Sequence, residues 1–215
     1  MSWKVAGLTA AVLALGVFFA GTMQDSEAGT ATWDASRASG FAGYLLLWAS
    51  TVTGFALYLR LRPARGPLTW MLEAHRITSV LALSFVAIHV LGLVLDPVVS
   101  FSLLDALVPF TSSYRALQVG AGTIAQWLLI VVLASTALAG SIPRARWRQL
   151  HYLSLPCWAL ALLHGITSGS DTGSRPAMAL YIVTAGVGGA LLAVRLLGRA
   201  TSPMGGAPAA RPARR

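Results

Sequence analysis

The sequence predicts an all-α membrane protein, a bundle of six transmembrane helices with both termini on the cytoplasmic side. Three observations carry this. The 215 residues are 56% hydrophobic and only 11% charged, with a mean hydropathy of +0.69, whereas a soluble domain carries about 25% charged residues. Six windows free of any charge are each long enough for the ~20 residues that a bilayer core requires: Lys4 to Asp25, Arg37 to Arg60, Arg76 to Asp96, Arg115 to Arg144, Arg148 to Asp171 and Arg175 to Arg195. With the N-terminus inside, thirteen of the 16 basic residues fall on the inner side, and only Arg37, Arg115 and Arg175 fall outside. That is the positive-inside pattern. Of the acids only Glu73 falls inside. The formal charge of +9 is thereby explained by topology rather than by nucleic-acid binding. The expected location is the cell membrane, as a multi-pass protein in contact with lipid.

The chain divides into residues 1–39 (a first helix and an outer loop), 40–197 (the main helical bundle) and 198–215 (a basic tail). The first apolar run, following Lys4, reads either as a retained helix or as a signal peptide with small residues near Ser26 to Ala28. The second helix carries Gly40, Gly43 and Gly54, which permit close approach of another helix or of a flat cofactor. Pro63 and Pro67 end it in a short inner loop. The third helix is expected from about Leu72 to Leu95, closed by Asp96-Pro97. The semi-apolar stretch after it predicts a short helix along the outer surface. The fourth is expected over Ala121 to Ile142, closed by Pro143, and the fifth over Gln149 to Thr167, kinked at Pro156. A polar outer turn, SGSDTGSRP, precedes the sixth. The tail, rich in Gly, Pro, Ala and Arg, is expected to be disordered, with its arginines on anionic headgroups.

Chemistry concentrates in the histidines. There are four, His75 and His89 in the third helix and His151 and His164 in the fifth. An imidazole in hydrocarbon needs a partner, and paired spacing on two parallel helices points to a shared ligand. A separation of 14 residues is close to one helix face and about 21 Å of rise; one of 13 gives ~19.5 Å but leaves about 140° of azimuth on an ideal helix, which a bend at Pro156 would have to correct. Equal depths pair His75 with His151 near the inner face and His89 with His164 near the outer face. Neutral imidazole suits iron, and two axial nitrogens per iron favour electron transfer over ligand binding at the metal. The expectation is therefore two haems at two depths. Arg76, Arg144 and Arg148 lie beside the inner pair; they either grip haem propionates in two-pronged fashion or only set topology. Other readings remain open. The histidines could serve helix packing or a proton relay in a non-redox transporter or assembly subunit, although no acid lies inside a span. Trp70, Trp147 and Tyr152 read as interfacial anchors. The single cysteine, Cys157, reads as a small buried hydrophobe.

On the four histidines and the WRQLHYLSL lead-in, the stretch from about Phe41 to Val194 resembles the ferric reductase-like transmembrane domain superfamily. This group includes NADPH oxidases, ferric-chelate reductases and the haem-binding subunit of the periplasmic methionine sulfoxide reductase system. The resemblance implies six helices, two b-type haems and outward electron flow, as in an oxidoreductase component. The oxidases and ferric reductases carry a flavin and nicotinamide module; this sequence shows no Gly-rich dinucleotide loop and no motif that indicates a flavin. Electrons are expected from a separate flavoprotein or a quinol, and are delivered to an acceptor outside. The stand-alone sulfoxide reductase subunit typically lacks a histidine at the position of His75, a departure from the four-ligand set found here.

Overall fold

The computed structural model describes residues 30–61 and 69–200, with side chains to Leu197. The expected first helix and the basic tail from Thr201 lie outside the described residues. Every regular element described is helical: α1 (Ala31–Tyr58), α2 (Thr69–Val94), the short α3 (Leu103–Leu107), α4 (Ala116–Ala137), α5 (Arg144–His151), α6 (Ser154–Ser168), a 3₁₀ turn (Ser170–Gly173) and α7 (Arg175–Ala200). Four of these, α1, α2, α4 and α7, are long and apolar enough to cross a membrane. At 15 residues, α6 falls short of the ~20 that a bilayer core takes, and α5 continues its path.

α1 is the central helix: 56% of its apolar window is buried, against 17% for α2. It pairs antiparallel with α2, and α4 pairs with α6. Phe41, Tyr44 and Leu45 of α1 pack against Trp158, Leu180 and Tyr181. The Tyr44 hydroxyl lies 2.6 Å from that of Thr184, and Trp48 Nε1 donates to the Thr184 carbonyl at 3.1 Å, which fastens α7 to α1. Leu46, Leu47, Ala82, Leu129 and Cys157 form a second apolar cluster. Ala82 lies seven residues from both His75 and His89, so this cluster sits at mid-depth, between the two histidine levels. Cys157 is 1% exposed and has the expected packing role; its thiol donates to the Ala125 carbonyl.

The end of the bundle that carries Arg37, Asp96 and Asp171 is tied by polar contacts. Arg37 Nε donates to Asp171 Oδ2 at 2.8 Å, and a second guanidinium nitrogen reaches Asp171 Oδ1. Asp96 accepts from the hydroxyls of Thr30 and Thr32 and from the backbone N–H groups of Val98 and Val99. The short helix expected in the outer loop is α3, opened by a capping box between Ser102 and Asp105. Its last carbonyls, which lack partners within the helix, accept from Thr123, Gln126 and Trp127 of α4.

Boundaries differ from the sequence expectation in four places. α1 begins at Ala31, inside the stretch to residue 39 expected as outer loop, because the Thr30 side chain accepts from Trp33 N and caps the helix there. α4 begins and ends about five residues early: it stops at Ala137, because Gly140 is a poor helix former and Pro143 disfavours helical backbone at the residue before it. α7 runs past Arg195 to Ala200, since Leu196 and Leu197 are good helix formers. The fifth helix is broken rather than kinked. Pro156 has no N–H to give the Tyr152 carbonyl and its ring crowds that carbonyl, so the chain tightens at Tyr152 and Leu153. Leu153 N bonds to Leu150 O and Leu155 N to Tyr152 O, both three residues apart. Regular helix resumes where Cys157 N reaches Leu153 O.

Candidate functional site: two facing histidine pairs

The four histidines meet as two facing pairs. The rings of His75 and His151 have centroids 5.9 Å apart at 64°, and those of His89 and His164 are 6.3 Å apart at 76°. The rings face each other although a straight fifth helix would leave them about 140° apart; the three-residue hydrogen bonds around Tyr152 overwind the chain and turn it part of that way. The facing rings are not hydrogen-bonded to each other; three of the four instead spend Nδ1 on a backbone carbonyl.

Three of the rings are seated in the same way. His89 Nδ1 lies 2.8 Å from the Ser36 carbonyl, His75 Nδ1 lies 2.9 Å from the Ser50 carbonyl, and His164 Nδ1 lies 2.9 Å from the Gln118 carbonyl. A carbonyl only accepts, so Nδ1 carries the proton in each and Nε2 keeps a free lone pair. The accepting carbonyl belongs to a helix, where its first lone pair already serves the N–H four residues on. The ring reaches the second lone pair because the residue at that next turn is glycine. A Cβ on Gly40 would lie 2.9 Å from His89 Nδ1, one on Gly54 would lie 3.2 Å from His75 Cε1, and one on Gly122 would lie 2.6 Å from His164 Nδ1. Gly43 instead faces Ala82 and Val86 of α2, a plain helix crossing. The serines return the bond: Ser36 Oγ donates to the His89 carbonyl at 2.8 Å, and Ser50 Oγ lies 2.7 Å from Ser79 Oγ, which donates to the His75 carbonyl at 2.6 Å.

His151 is the exception. Its Nδ1 is buried with no partner, and its ring stacks on Trp147 at 5.1 Å and 28°. Thr136, fourteen residues after Gly122, stands where a fourth seating glycine would fall, and its hydroxyl with that of Ser135 already occupies the Val132 carbonyl.

His75 and His151 open onto a cavity of about 120 Å³ lined by Ser50, Gly54, Phe55, Leu129, Tyr152 and Arg195 among others. Arg76, Arg144 and Arg148 are exposed and none lines this cavity. The guanidinium that does is Arg195, which sequence reasoning had assigned to topology alone. Trp70 Nε1 and Trp147 Nε1 are buried without partners. Trp147 touches a candidate ligand, a contact beyond its expected anchoring role. Ser36, Ser50, Gln118 and Gly122 were also missed. The signal for the serines was present: a Ser-x-x-x-Gly pattern at Ser36/Gly40 recurs at Ser50/Gly54, with the 14-residue offset of His75 and His89.

The donor set fits haem. A metal–imidazole bond is about 2 Å, so two in line plus the two ring radii come to about 6 Å between centroids, as both pairs show. Among the described residues no three His, Cys, Asp or Glu gather around a point, so each pair offers two ligands and leaves four positions for a planar macrocycle. The chain matches no family model, no curated protein and no solved structure.

Proposed function

We propose that this chain is a transmembrane di-haem cytochrome of b type, of the ferric reductase-like kind, with six spans and both termini on the inner side of the cell membrane. One observation carries the reading: two pairs of imidazoles face each other at metal-bridging separation, three of the four with Nδ1 committed to a carbonyl, which leaves the Nε2 lone pair free. Haem bound there would supply one-electron carriers at two depths. The protein's part would be to hold each haem through its histidine pair, fix the imidazole tautomers through Ser36, Ser50 and Gln118, and exclude water with the apolar partition around Ala82 and Cys157. The inner site would draw electrons from a separate flavoprotein or quinol, and the outer site would pass them to an acceptor outside. In this role the chain is an oxidoreductase component rather than a complete enzyme.

The test is an absorption spectrum with haem quantitation on membranes containing the chain. Two haems per chain and a reduced α-band are expected, and His89→Ala and His164→Ala should each remove the same outer haem. With ring planes crossed at 64° and 76°, ferric haem held by these pairs would give a strongly anisotropic low-spin EPR signal. A colourless protein from haem-replete cells would instead favour a non-redox transporter or assembly subunit.

A further inference from the structure

Arg195 sits on α7 with 9% of its surface exposed, in a helix apolar enough to cross a membrane. Its guanidinium lies over three aromatic rings, 4.4 Å from the Tyr58 centroid, 4.9 Å from Tyr152 and 5.8 Å from Phe55. These faces stabilise a cation but accept none of its five N–H donors in the plane of the fork. Among the described residues no carboxylate pairs with it: the ion pairs there belong to Arg37, with Asp34 and Asp171. A cation withdrawn from water with its donors unspent is costly, and this one borders the cavity that His75 and His151 share.

We propose that Arg195 is an anion-binding residue whose partner is a carboxylate of the group held in the inner cavity, a propionate if that group is haem. This rests on the di-haem reading. The aromatic rings hold the guanidinium at the cavity that Arg195 lines, and a guanidinium can offer two parallel N–H donors that match a carboxylate. Exposed Arg76, Arg144 and Arg148 stay hydrated and contribute little to such a bond. A lipid phosphate entering the cavity mouth offers the same paired anionic oxygens, and the test separates the two sources.

The experiment loads full-length chain, made without haem, with either haem or its dimethyl ester, in bilayers of zwitterionic lipid with and without anionic lipid. Wild type, Arg195→Gln and Arg195→Lys are compared, and inner-site affinity is read by difference spectra. Retention of one tightly bound outer haem shows that each variant is folded. A charge-assisted two-pronged bond predicts about ten- to hundred-fold weaker inner haem binding in Arg195→Gln. Wild type should bind the ester as weakly as Arg195→Gln binds haem, Arg195→Gln should not distinguish the two, and Arg195→Lys should recover part of the loss. Equal inner affinity for haem and ester in wild type, or unchanged haem affinity in Arg195→Gln, overturns the proposal. An Arg195 effect that appears only with anionic lipid assigns the residue to a headgroup and overturns it as well. Failure of wild type to take up any haem removes the underlying reading itself.

Discussion

Gly122 has no side chain, and the position of His164 depends on that. An added methyl would sit 2.6 Å from His164 Nδ1, against 2.9 Å for Gly40 and His89 and 3.2 Å for Gly54 and His75. Overpacked contacts of this kind are relieved only by moving the ring off its carbonyl. Gly122→Ala should therefore abolish the outer haem and cut the reduced α-band by about half. Gly40→Ala should act in the same direction less completely, and Gly54→Ala should weaken the inner haem least. Gly140→Ala meets nothing within 4 Å and serves as the control; an equal loss there would show that the spectrum reports general unfolding. The unpartnered Nδ1 of His151 leads to a second expectation. Partners that orient a metal-bound histidine are commonly worth 10- to 100-fold in affinity, so the inner haem should leave first. Transfer to an excess of a haem-scavenging globin should be biphasic, with only the fast phase left in His89→Ala. The histidines were legible from sequence because they are four and paired. Their carbonyl seats were not, since a backbone acceptor has no residue identity and only the accompanying glycines mark it.

At the scale of the element, the break between α5 and α6 lies in the segment that sets His151 opposite His75 and His164 opposite His89. Restoring the missing N–H with Pro156→Ala would allow a continuous helix through Tyr152, and thirteen regular residues leave His151 about 140° from His164. The expected result is loss of the inner haem with the outer one kept, measured as haem stoichiometry falling from two towards one. The sequence marked Pro156 as the place of a bend. It did not show that the helix would stop, because whether a proline kinks or ends a helix depends on how neighbouring contacts satisfy the freed carbonyl. The outer cap makes a pH prediction. The Thr30 hydroxyl first, then that of Thr32, together with the backbone N–H groups of Val99 and Val98, hold the Asp96 carboxyl well below the usual carboxylate range. A depressed folded-state value means that the tie is fully stabilising above the unfolded value near 3.9 and is lost as pH falls below it through the folded one. Thermal stability in detergent should thus be insensitive to Asp96→Asn below that range and should fall in the variant at neutral pH. A variant as stable as wild type at pH 7 would show that the tie contributes nothing.

For the whole molecule, the apolar windows and their flanking charges set the plan, and four of the helices they predict are long enough to span. The lateral arrangement, with α1 at the centre and α7 clasped to it by Tyr44 and Trp48, was not readable, because lipid-facing and protein-facing surfaces are equally apolar and leave no period to detect. The same lack of pattern hides Arg195, which hydropathy places at the end of a span and packing turns inward. Function depends on which way the bundle points. The two histidine levels are four helical turns apart, about 21 Å, and an electron crossing a membrane gains ~2.3 kcal/mol per 100 mV. With the inside negative, that gain favours movement from the His75/His151 level to the His89/His164 level only if the arginine-rich end faces inward. Single cysteines placed at Ser141 and Ser170 in a Cys157→Ser chain report this directly. A membrane-impermeant maleimide added to intact cells should label the Ser170 site and reach the Ser141 site only after the membrane is opened. The reverse pattern would place the proposed electron entry outside, against the voltage, and the chain could not then serve as an outward conduit.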